Sequence, residues 1–349
     1  MASLISDLKN IAMLPIHAVA VGTAIKSFKS NPILGSPRLN RMGLHVKRVS
    51  LAEKLSIRRQ TGLARLISDE QAQIINRDGY IIIKNVLPDD VFAKLSEEVE
   101  NTEFLAREMR QGGTVTRLIP LPPSLLASLS NLNNFVNGDL FQGLLRYTAS
   151  FNHESLVNLH TVITDPELGD TDPQTMFHSD TFHATAKGWF FLRDVEMADG
   201  PFGYVPGSHR MTKGRLEWEQ EQSLIAAKHE NGHHALGSFR ASESDIKAMG
   251  YDGIEPLPVP ANSLVIADTH GFHARCESTR PSTRLAIYGS LRCNPFVPLS
   301  GLDVFSLPGL RGRKGEAVYM GRAALAKMAK KRETQPIVGM VRPGDPAVL

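Results

Sequence analysis

Cysteine is almost absent from this sequence: only Cys276 and Cys293 occur among its 349 residues. So few thiols exclude a disulfide framework and favour a reducing, cytoplasmic environment. Long apolar runs are also missing, because no stretch approaches the roughly 20 apolar residues of a membrane-spanning helix. The best candidate, residues 11–24, is interrupted by Pro15 and His17, and it lacks the cationic start of a signal peptide. We therefore expect a cytoplasmic protein without a spanning helix.

Charges of both signs are present, but they are unevenly distributed along the chain. Residues 1–65 contain 11 Lys or Arg and 2 Asp or Glu, whereas residues 301–349 contain 9 and 4. Because the whole chain carries a net charge of only +3, its centre is acidic. Basic ends suit an anionic lipid surface, so peripheral membrane contact is one hypothesis. Solvated, partly disordered tails have the same composition. Nucleic acid is not expected as a partner, because the ends lack interleaved aromatic residues.

Turn-forming residues divide the chain into three parts. We predict a basic N-terminal extension at residues 1–65, a folded domain at 66–300 and a basic C-terminal extension at 301–349. Convincing order is expected to begin at Ser68, which can cap a helix. Residues 212–255 resemble a helical insertion, and long insertions in compact domains often form lids.

Short apolar or alternating runs recur from residue 156 onward, separated by glycine, proline, aspartate and serine. Many short strands at regular intervals predict a sandwich or barrel. Helical periodicity before this region adds flanking helices. The predicted fold class is therefore mainly β with flanking helices (α+β). The runs that predict strands are residues 156–163, 189–192, 203–205, 263–267 and 285–291.

Two potential metal ligands stand two residues apart in the segment FHSDT, at His178 and Asp180. On a strand, residues two apart project from the same face, so both would enter one cavity. An imidazole and a carboxylate are two of the three ligands of the facial triad. That triad binds iron(II) and leaves positions open for oxygen and a co-substrate. A single pair of this kind also arises by chance at a protein surface.

A third ligand and an anion-binding residue occur further along the chain. His273 follows an apolar strand, and Arg284 begins another strand eleven residues later. On that second strand Arg284, Ala286 and Tyr288 share one face, which could line a polar cavity. An arginine there can hold a carboxylate by a bidentate ion pair, which is what a dicarboxylate co-substrate needs.

These segments together resemble the phytanoyl-CoA dioxygenase family of 2-oxoglutarate oxygenases. The resemblance spans roughly residues 68–295 and rests on SDEQAQIINRDGYIIIKNVLPDDV, FHSDTFH, GPFGYVPGSHR and GFHARCESTRPSTRLAIY. It implies a double-stranded β-helix, or jelly-roll, related to the cupins, with helices on one side. The spacing to the arginine favours His273 over His270 as the third metal ligand.

The resemblance also implies a set of site residues. His178, Asp180 and His273 would bind iron(II), and Arg284 would bind the far carboxylate of 2-oxoglutarate. Two further contacts to that co-substrate are predicted at Thr161 and Tyr288. Arg275 departs from the family, which often has a small hydroxyl residue at that position. It could meet an anionic substrate or point into solvent.

The predicted reaction is hydroxylation of an unactivated C–H bond of a small-molecule or lipid-linked substrate. Oxygen and 2-oxoglutarate would be co-substrates, and succinate and carbon dioxide would be released. One alternative is a cupin-type metalloenzyme that uses no 2-oxoglutarate and does not need Arg284. Another is a non-catalytic membrane-associated binding protein. A second metal site at His229, His233 and His234 is conceivable, although a polar lid is the preferred interpretation.

Overall fold

Two antiparallel sheets face each other in this chain, for which the computed structural model describes residues 13–169, 172–328 and 333–349. The strands are β1 (Tyr80–Ile83), β2 (Phe104–Gln111), β3 (Thr114–Pro120), β4 (Leu156–Thr164), β5 (Phe177–His178), β6 (Ala186–Phe191), β7 (Phe202–Tyr204), β8 (Arg240–Ala241), β9 (Glu255–Pro256), β10 (Ser263–Asp268), β11 (His273–Arg275), β12 (Ser282–Leu291) and β13 (Ile337–Val341). The large sheet has the order β1-β10-β6-β12-β4-β3-β2-β13, and the small sheet has the order β8-β5-β11-β7-β9. The mainly β, jelly-roll prediction is confirmed.

Helices flank the sheets, as expected for this fold class. They are α1 (Leu14–Val21), α2 (Pro37–Arg41), α3 (Leu44–Leu63), α4 (Asp69–Asp78), α5 (Asp89–Glu100), α6 (Pro123–Leu126), α7 (Ser130–Val136), α8 (Asp139–Ala149), α9 (Lys213–Ile225), α10 (Gly232–Ala235), α11 (Glu243–Ala248) and α12 (Lys314–Met328). Across the described ranges, none of the helices has both the length and the apolar character that crossing a bilayer requires.

Helix α4 illustrates how local sequence sets an element boundary. Ser68 accepts a hydrogen bond from the backbone N–H of Gln71, and the Gln71 side chain accepts one from the N–H of Ser68. This capping box satisfies N–H groups that the first turn leaves free. Gly79 ends the helix in the left-handed region, at φ 85°. Glycine adopts that conformation without steric cost, so the chain can turn directly into β1.

The alternation along β12 separates the hydrophobic core from the cavity between the sheets. Leu285, Ile287 and Leu291 are fully buried in the main core cluster. That cluster includes Phe141 and Leu145 of helix α8, so this face of the large sheet packs on helices. The intervening residues of β12 point toward the small sheet. The two-residue periodicity thus gives one strand a helix-packing face and a cavity-lining face.

Two glycines let helix α8 lie close to the large sheet. Gly188 on β6 and Gly289 on β12 are directly paired across the strands. A Cβ atom on Gly188 would stand 3.2 Å from Leu145 of the helix, and one on Gly289 would stand 2.5 Å from the same side chain. Such distances are shorter than van der Waals contact, so any side chain here would push helix and sheet apart. The pair therefore fixes the position of the sheet beneath the helix.

The N-terminal segment packs on the domain from residue 13 onward. Arg59 of helix α3 is buried and donates hydrogen bonds to Ser150 and to the carbonyl oxygens of Pro295 and Val297. The predicted start of order at Ser68 therefore differs from the structure. Composition indicated a basic extension, but several of its charges are buried by contacts with residues distant in sequence.

The C-terminal segment is also integrated, because β13 joins the edge of the large sheet beside β2. Arg117 is fully buried, forms an ion pair with Glu108 at 2.6 Å, and donates to the carbonyl oxygens of Pro343 and Pro346. Residues 301–349 were predicted to be an extension. In the structure their last part completes the sheet and is held by a buried arginine.

The predicted helical insertion at residues 212–255 contains helices α9, α10 and α11. It also contributes two short strands to the small sheet. Strand β8 pairs with β5, so that His178 lies opposite Arg240, and β9 pairs with β7. The insertion is therefore part of the scaffold that positions His178.

Candidate active site

His178, Asp180 and His273 converge at the open end of the small sheet. Each of these three residues offers a potential metal-ligand atom, and the three atoms all lie within 4.8 Å of one another. The described ranges contain no other such group of three or more His, Cys, Asp or Glu residues. His178 on β5 is paired directly with His273 on β11. Strand β5 ends at His178, so Asp180 stands just beyond it, where its N–H donates to the carbonyl oxygen of Thr269. The structure brings together all three predicted ligands.

Backbone carbonyl groups orient both imidazoles. The Nδ1–H of His178 donates to the carbonyl oxygen of Met176 at 2.8 Å. The Nδ1–H of His273 donates to that of Gly271 at 2.9 Å. These bonds fix the tautomer in which Nε2 carries the free lone pair. Nε2 of His273 is buried and has no hydrogen-bond partner in the described part of the chain. A buried lone pair without a donor is suited to a metal ion.

The protonation states match those of a metal-binding donor set. Burial lowers the pKa of His178 well below its usual value, and the nearby His273 adds to this effect. Burial lowers the pKa of His273 to about 4, although Asp180 opposes the shift. Burial opposes ionisation of Asp180, but Lys187 and the two histidines hold its pKa well below the usual range. Two neutral imidazoles and a carboxylate are the ligands of a facial triad.

A cavity of about 240 Å³ lies between the two sheets, and His178 and His273 form part of its wall. Trp189, Phe191 and Phe202 supply an apolar lining. The volume is at the scale of a small organic acid, and the aromatic surface limits water. His178 and His273 therefore border a pocket that can hold a second, small component.

Arg284 projects into this cavity from β12, as the alternation predicted. Its side chain is 8% exposed, and its Nη1 donates to the carbonyl oxygen of Gly200. Nε and Nη2 are buried and have no acceptor among the described residues. Burial, together with Arg275, lowers the pKa of Arg284 to about 9. A buried guanidinium with two nitrogens free of acceptors is suited to bind an anion.

Arg275 also reaches the cavity wall, next to Arg284. It forms an ion pair with Asp172 and is largely buried. Of the two alternatives for this residue, exposure to solvent is thus excluded. Because Asp172 already neutralises Arg275, the free anion-binding capacity at this end belongs to Arg284.

Thr161 does not line the cavity, so its predicted contact with a co-substrate is corrected. Its hydroxyl donates to the carbonyl oxygen of Pro343 at 2.9 Å, on the other face of the sheet. Its neighbours His160 and Val162 line the cavity instead. Successive residues of a strand point to opposite faces, so an error of one residue moves a side chain across the sheet. Tyr288, by contrast, is on the cavity wall.

Sequence reasoning missed two polar residues of the cavity, His160 and Lys187. The His160 ring lies 5.2 Å from that of Tyr288, and burial lowers the pKa of His160 to about 3. The ammonium group of Lys187 stands 2.5 Å from Oδ2 of Asp180. The signal for Lys187 was its place in β6, where it alternates with the cavity-lining Trp189 and Phe191.

The remaining histidines stand outside the metal-binding cluster. His270, the alternative third ligand, is buried, and its backbone carbonyl oxygen accepts a hydrogen bond from Arg215. His209 is buried as well, and His183 bonds through Nδ1 to the carbonyl oxygen of Ala184. The rings of His229 and His234 stack at 3.9 Å. Among the described residues, none of these belongs to a group that could hold a metal ion.

Four cationic side chains lie near Asp180: Lys26, Lys187, Arg240 and Arg292. Lys26 donates from Nζ to the backbone carbonyl oxygen of Asp180 at 2.5 Å. Burial lowers the pKa of Lys26 to about 8, and the neighbouring charge of Arg292 adds to the shift. The surroundings of Asp180 are therefore strongly positive.

Comparison with known proteins gives one family match. The sequence model of the family described as Phytanoyl-CoA dioxygenase (PhyH) matches residues 75–274, which is more than half of the chain. The matched stretch contains His178, Asp180 and His273 and ends before Arg284. None of the curated proteins matches the sequence.

Several solved structures are distantly similar to this chain. HygX from Streptomyces hygroscopicus with nickel and 2-oxoglutarate bound is 16% identical, with 70% of this chain and 94% of that chain covered and a TM-score of 0.41. The epimerase SnoN from nogalamycin biosynthesis, in complex with Fe3+, alpha ketoglutarate and nogalamycin RO, is 17% identical, with coverages of 66% and 83% and a TM-score of 0.41. EctD from S. alaskensis is 14% identical, with coverages of 64% and 76% and a TM-score of 0.40.

Proposed function

The chain belongs to the phytanoyl-CoA dioxygenase family, and we propose that it is an iron(II)- and 2-oxoglutarate-dependent dioxygenase. The proposed reaction is hydroxylation of an unactivated C–H bond in a small-molecule or lipid-linked substrate. Succinate and carbon dioxide are the co-products. His178, Asp180 and His273 hold the metal in this proposal.

The observation that carries the proposal is the pairing of a metal-type donor set with a buried, incompletely bonded arginine. The triad borders one part of the cavity, and Arg284 projects into the same cavity with Nε and Nη2 free of acceptors in the described chain. A keto-diacid has a chelating 2-oxo acid at one end and a carboxylate at the other. It therefore offers one end to the metal ligands and the other to the guanidinium.

The side chains of this protein position and shield the reactants. Met176 and Gly271 keep both imidazoles oriented through their carbonyl groups, which preserves the donor geometry. Arg284 grips the distal carboxylate, and Trp189 and Phe202 exclude water from the cavity. Iron, when bound, supplies the oxygen chemistry that no side chain provides.

A metalloenzyme that uses no 2-oxoglutarate is the principal alternative, and a non-catalytic binding protein is the second. The test is anaerobic reconstitution with iron(II), followed by exposure to oxygen and measurement of succinate formed from 2-oxoglutarate. We expect succinate from the wild type and little from Arg284→Ala. Equal succinate formation in the two proteins would contradict the role of Arg284 in binding 2-oxoglutarate. Absence of succinate from the fully metallated wild type would contradict the proposed function and leave the two alternatives.

Peripheral membrane contact is a separate proposal, supported by exposed apolar side chains near basic ones. In helix α12, Met320, Leu325 and Met328 are 66–80% exposed, and Arg322 and Lys327 lie on the same helix. Such a face suits the boundary of an anionic bilayer. Sedimentation with phosphatidylserine vesicles at low and high salt tests it. Lack of binding at low salt removes the proposal.

A further inference from the structure

The four cations near Asp180 are not balanced by an equal number of acids in the described part of the chain. Among the described residues, the ion pair between Lys187 and Asp180 is the only one that Lys26, Lys187, Arg240 and Arg292 make. Asp180 is itself a metal ligand in the proposed function, so a bound metal shares its charge. The remaining positive charge has no acidic partner among the residues that the structure describes.

Two of these cations, Lys26 and Arg240, are tied to the backbone of residues 179 and 180. Lys26 contacts the carbonyl oxygen of Asp180 directly. Arg240 donates to Ser238 at 3.0 Å, and Ser238 donates to the carbonyl oxygen of Ser179 at 2.8 Å. These hydrogen bonds place the charged groups next to the metal-binding turn rather than spreading them over the surface.

Arg292 completes the group from the end of β12. Its Nη2 donates to the carbonyl oxygen of Ala24 at 3.0 Å, two residues before Lys26. The side chain is exposed, so it faces incoming solutes. Arg292, just beyond the end of β12, therefore lies next to the N-terminal segment that carries Lys26. We call the group of Lys26, Lys187, Arg240 and Arg292 the cationic mouth.

Arg240 carries the clearest sign of a missing partner. It is 7% exposed, and its Nε has no acceptor in the described part of the protein. A buried guanidinium that lacks a carboxylate is costly, because its hydration is lost without compensation. An anion that enters from outside would restore this bonding.

The cationic mouth is distinct from the site at Arg284. Along β12, Arg284, Ala286, Tyr288 and Ser290 point to the same side, and Lys187 of β6 is paired with Ser290. The Cα atoms of Arg284 and Lys187 are therefore about 20 Å apart along the strand direction, at roughly 3.3 Å per residue, although both side chains reach the same cavity. One end of the cavity suits the keto-diacid, and the other suits a second anion.

We propose that the substrate carries a carboxylate or phosphate group, which binds among Lys26, Lys187, Arg240 and Arg292 beside the metal. This inference rests on the proposed function for its identification of the bound molecule as a substrate. A carboxylate or phosphate group has several acceptor oxygens. Lysine and arginine side chains bind such groups by donating several hydrogen bonds to these oxygens. Anchoring the charge here places the adjoining carbon atoms close to the metal ligands.

The experiment measures binding of three matched probes by titration calorimetry. Hexyl phosphate, hexanoate and hexanol are each titrated into the full chain, once metal-free and once loaded with nickel(II) and 2-oxoglutarate. We expect one or both anions to bind at least about tenfold more tightly than hexanol. The tighter of the two identifies the preferred oxyanion. Equal affinity for hexanol and both anions overturns the proposal.

Variants connect the binding to the named side chains. Lys26→Met and Arg292→Gln are each expected to weaken binding of the preferred anion about tenfold. Lys26→Arg should retain most of the affinity, because it keeps the charge. Lys54→Met, at an exposed lysine of helix α3, is the matched control and should bind as the wild type does. Wild-type affinity in both Lys26→Met and Arg292→Gln contradicts the proposal.

Two further measurements keep the interpretation separate from folding and from the proposed function. Thermal unfolding verifies that each variant is folded at the temperature of the titration. Binding of 2-oxoglutarate to the nickel-loaded protein is measured independently. If 2-oxoglutarate does not bind but the anion does, the proposed function fails while the anion site stands.

Discussion

His178 and His273 lie opposite each other on adjacent antiparallel strands, with ring centroids 4.3 Å apart. Nε2 of His273 is also 3.8 Å from Oδ2 of Asp180. Side chains that stand far apart in sequence therefore share one small volume. Since both imidazoles are held neutral by burial, this proximity does not create charge repulsion between them. The relationship depends on strand pairing, and the first prediction tests it.

Replacement of the third ligand should remove the metal. We expect His273→Ala to weaken binding of nickel(II) by about 100-fold or more, because even indirect partners of metal ligands contribute 10–100-fold. His270→Gln, three residues away and outside the cluster, should retain the metal. Calorimetric titration measures both affinities. The assignment is wrong if the loss occurs in His270→Gln and not in His273→Ala.

Removal of the buried guanidinium should separate co-substrate binding from metal binding. Arg284→Ala is expected to weaken 2-oxoglutarate binding about 100-fold, since it eliminates two charge-assisted hydrogen bonds. Arg280→Ala is the matched control, because Arg280 is half exposed and pairs with Glu196 and Asp199. Its affinity for 2-oxoglutarate should be that of the wild type. Similar affinities for Arg284→Ala and wild type, at full nickel occupancy, would contradict the prediction.

Thr161 should contribute to stability and not to co-substrate binding. Thr161→Val removes the hydrogen bond to Pro343 and keeps the shape of the side chain. The Pro343 carbonyl oxygen retains the donor Arg117, so we expect a loss of about 1 kcal/mol in the free energy of unfolding. Urea unfolding and 2-oxoglutarate titration measure the two effects. A large loss of affinity without a loss of stability would restore the original sequence-based assignment.

Adjacent arginines in helix α3 should differ sharply in their effect on stability. Arg59 is 4% exposed and bonds to two separate segments, at Ser150 and at residues 295–297, whereas Arg58 is exposed. We expect Arg59→Ala to lower the free energy of unfolding by about 3 kcal/mol, because buried carbonyl groups lose their charged donor. Arg58→Ala should change it by less than about 0.5 kcal/mol. Equal, small effects in urea unfolding would indicate that the N-terminal segment is not docked.

Stability should fall as the solution is acidified from pH 6.5. Burial lowers the pKa of each of His160, His183 and His209 to about 3 in the folded protein. Because the unfolded histidines take up protons first, their stabilising contribution is complete above about pH 6.5 and is lost as the pH falls toward 3. Burial raises the pKa of Asp268 to about 7, so this carboxyl group releases one proton on unfolding in the same pH range and partly offsets the uptake by the histidines. Urea unfolding between pH 6.5 and 4.5 should show net proton uptake. Net release would contradict the prediction.

Much of the architecture followed from the sequence, because local patterns carry it. The runs at residues 156–163 and 285–291 predicted β4 and β12, and the alternation along β12 placed Arg284 in the cavity. Strand periodicity is a property of the backbone, so it can be recognised without knowing the neighbours. The triad was identified in the same way, from residue types and spacing together with family resemblance.

Only the tertiary structure decided which face of β4 meets the cavity and where the domain begins and ends. Periodicity establishes that His160 and Thr161 point in opposite directions, but the choice between them depends on pairing with β12 and β3. Likewise, the basic composition of the terminal segments does not reveal which carbonyl oxygens accept hydrogen bonds from Arg59. Nor does it reveal that the buried Arg117 donates to the C-terminal segment. The sequence by itself thus determined the residue types of the site and the two-residue periodicity of the strands that carry it. The placement of those strands and of the terminal segments arises from contacts between distant parts of the chain, whose energy is not encoded in any local pattern.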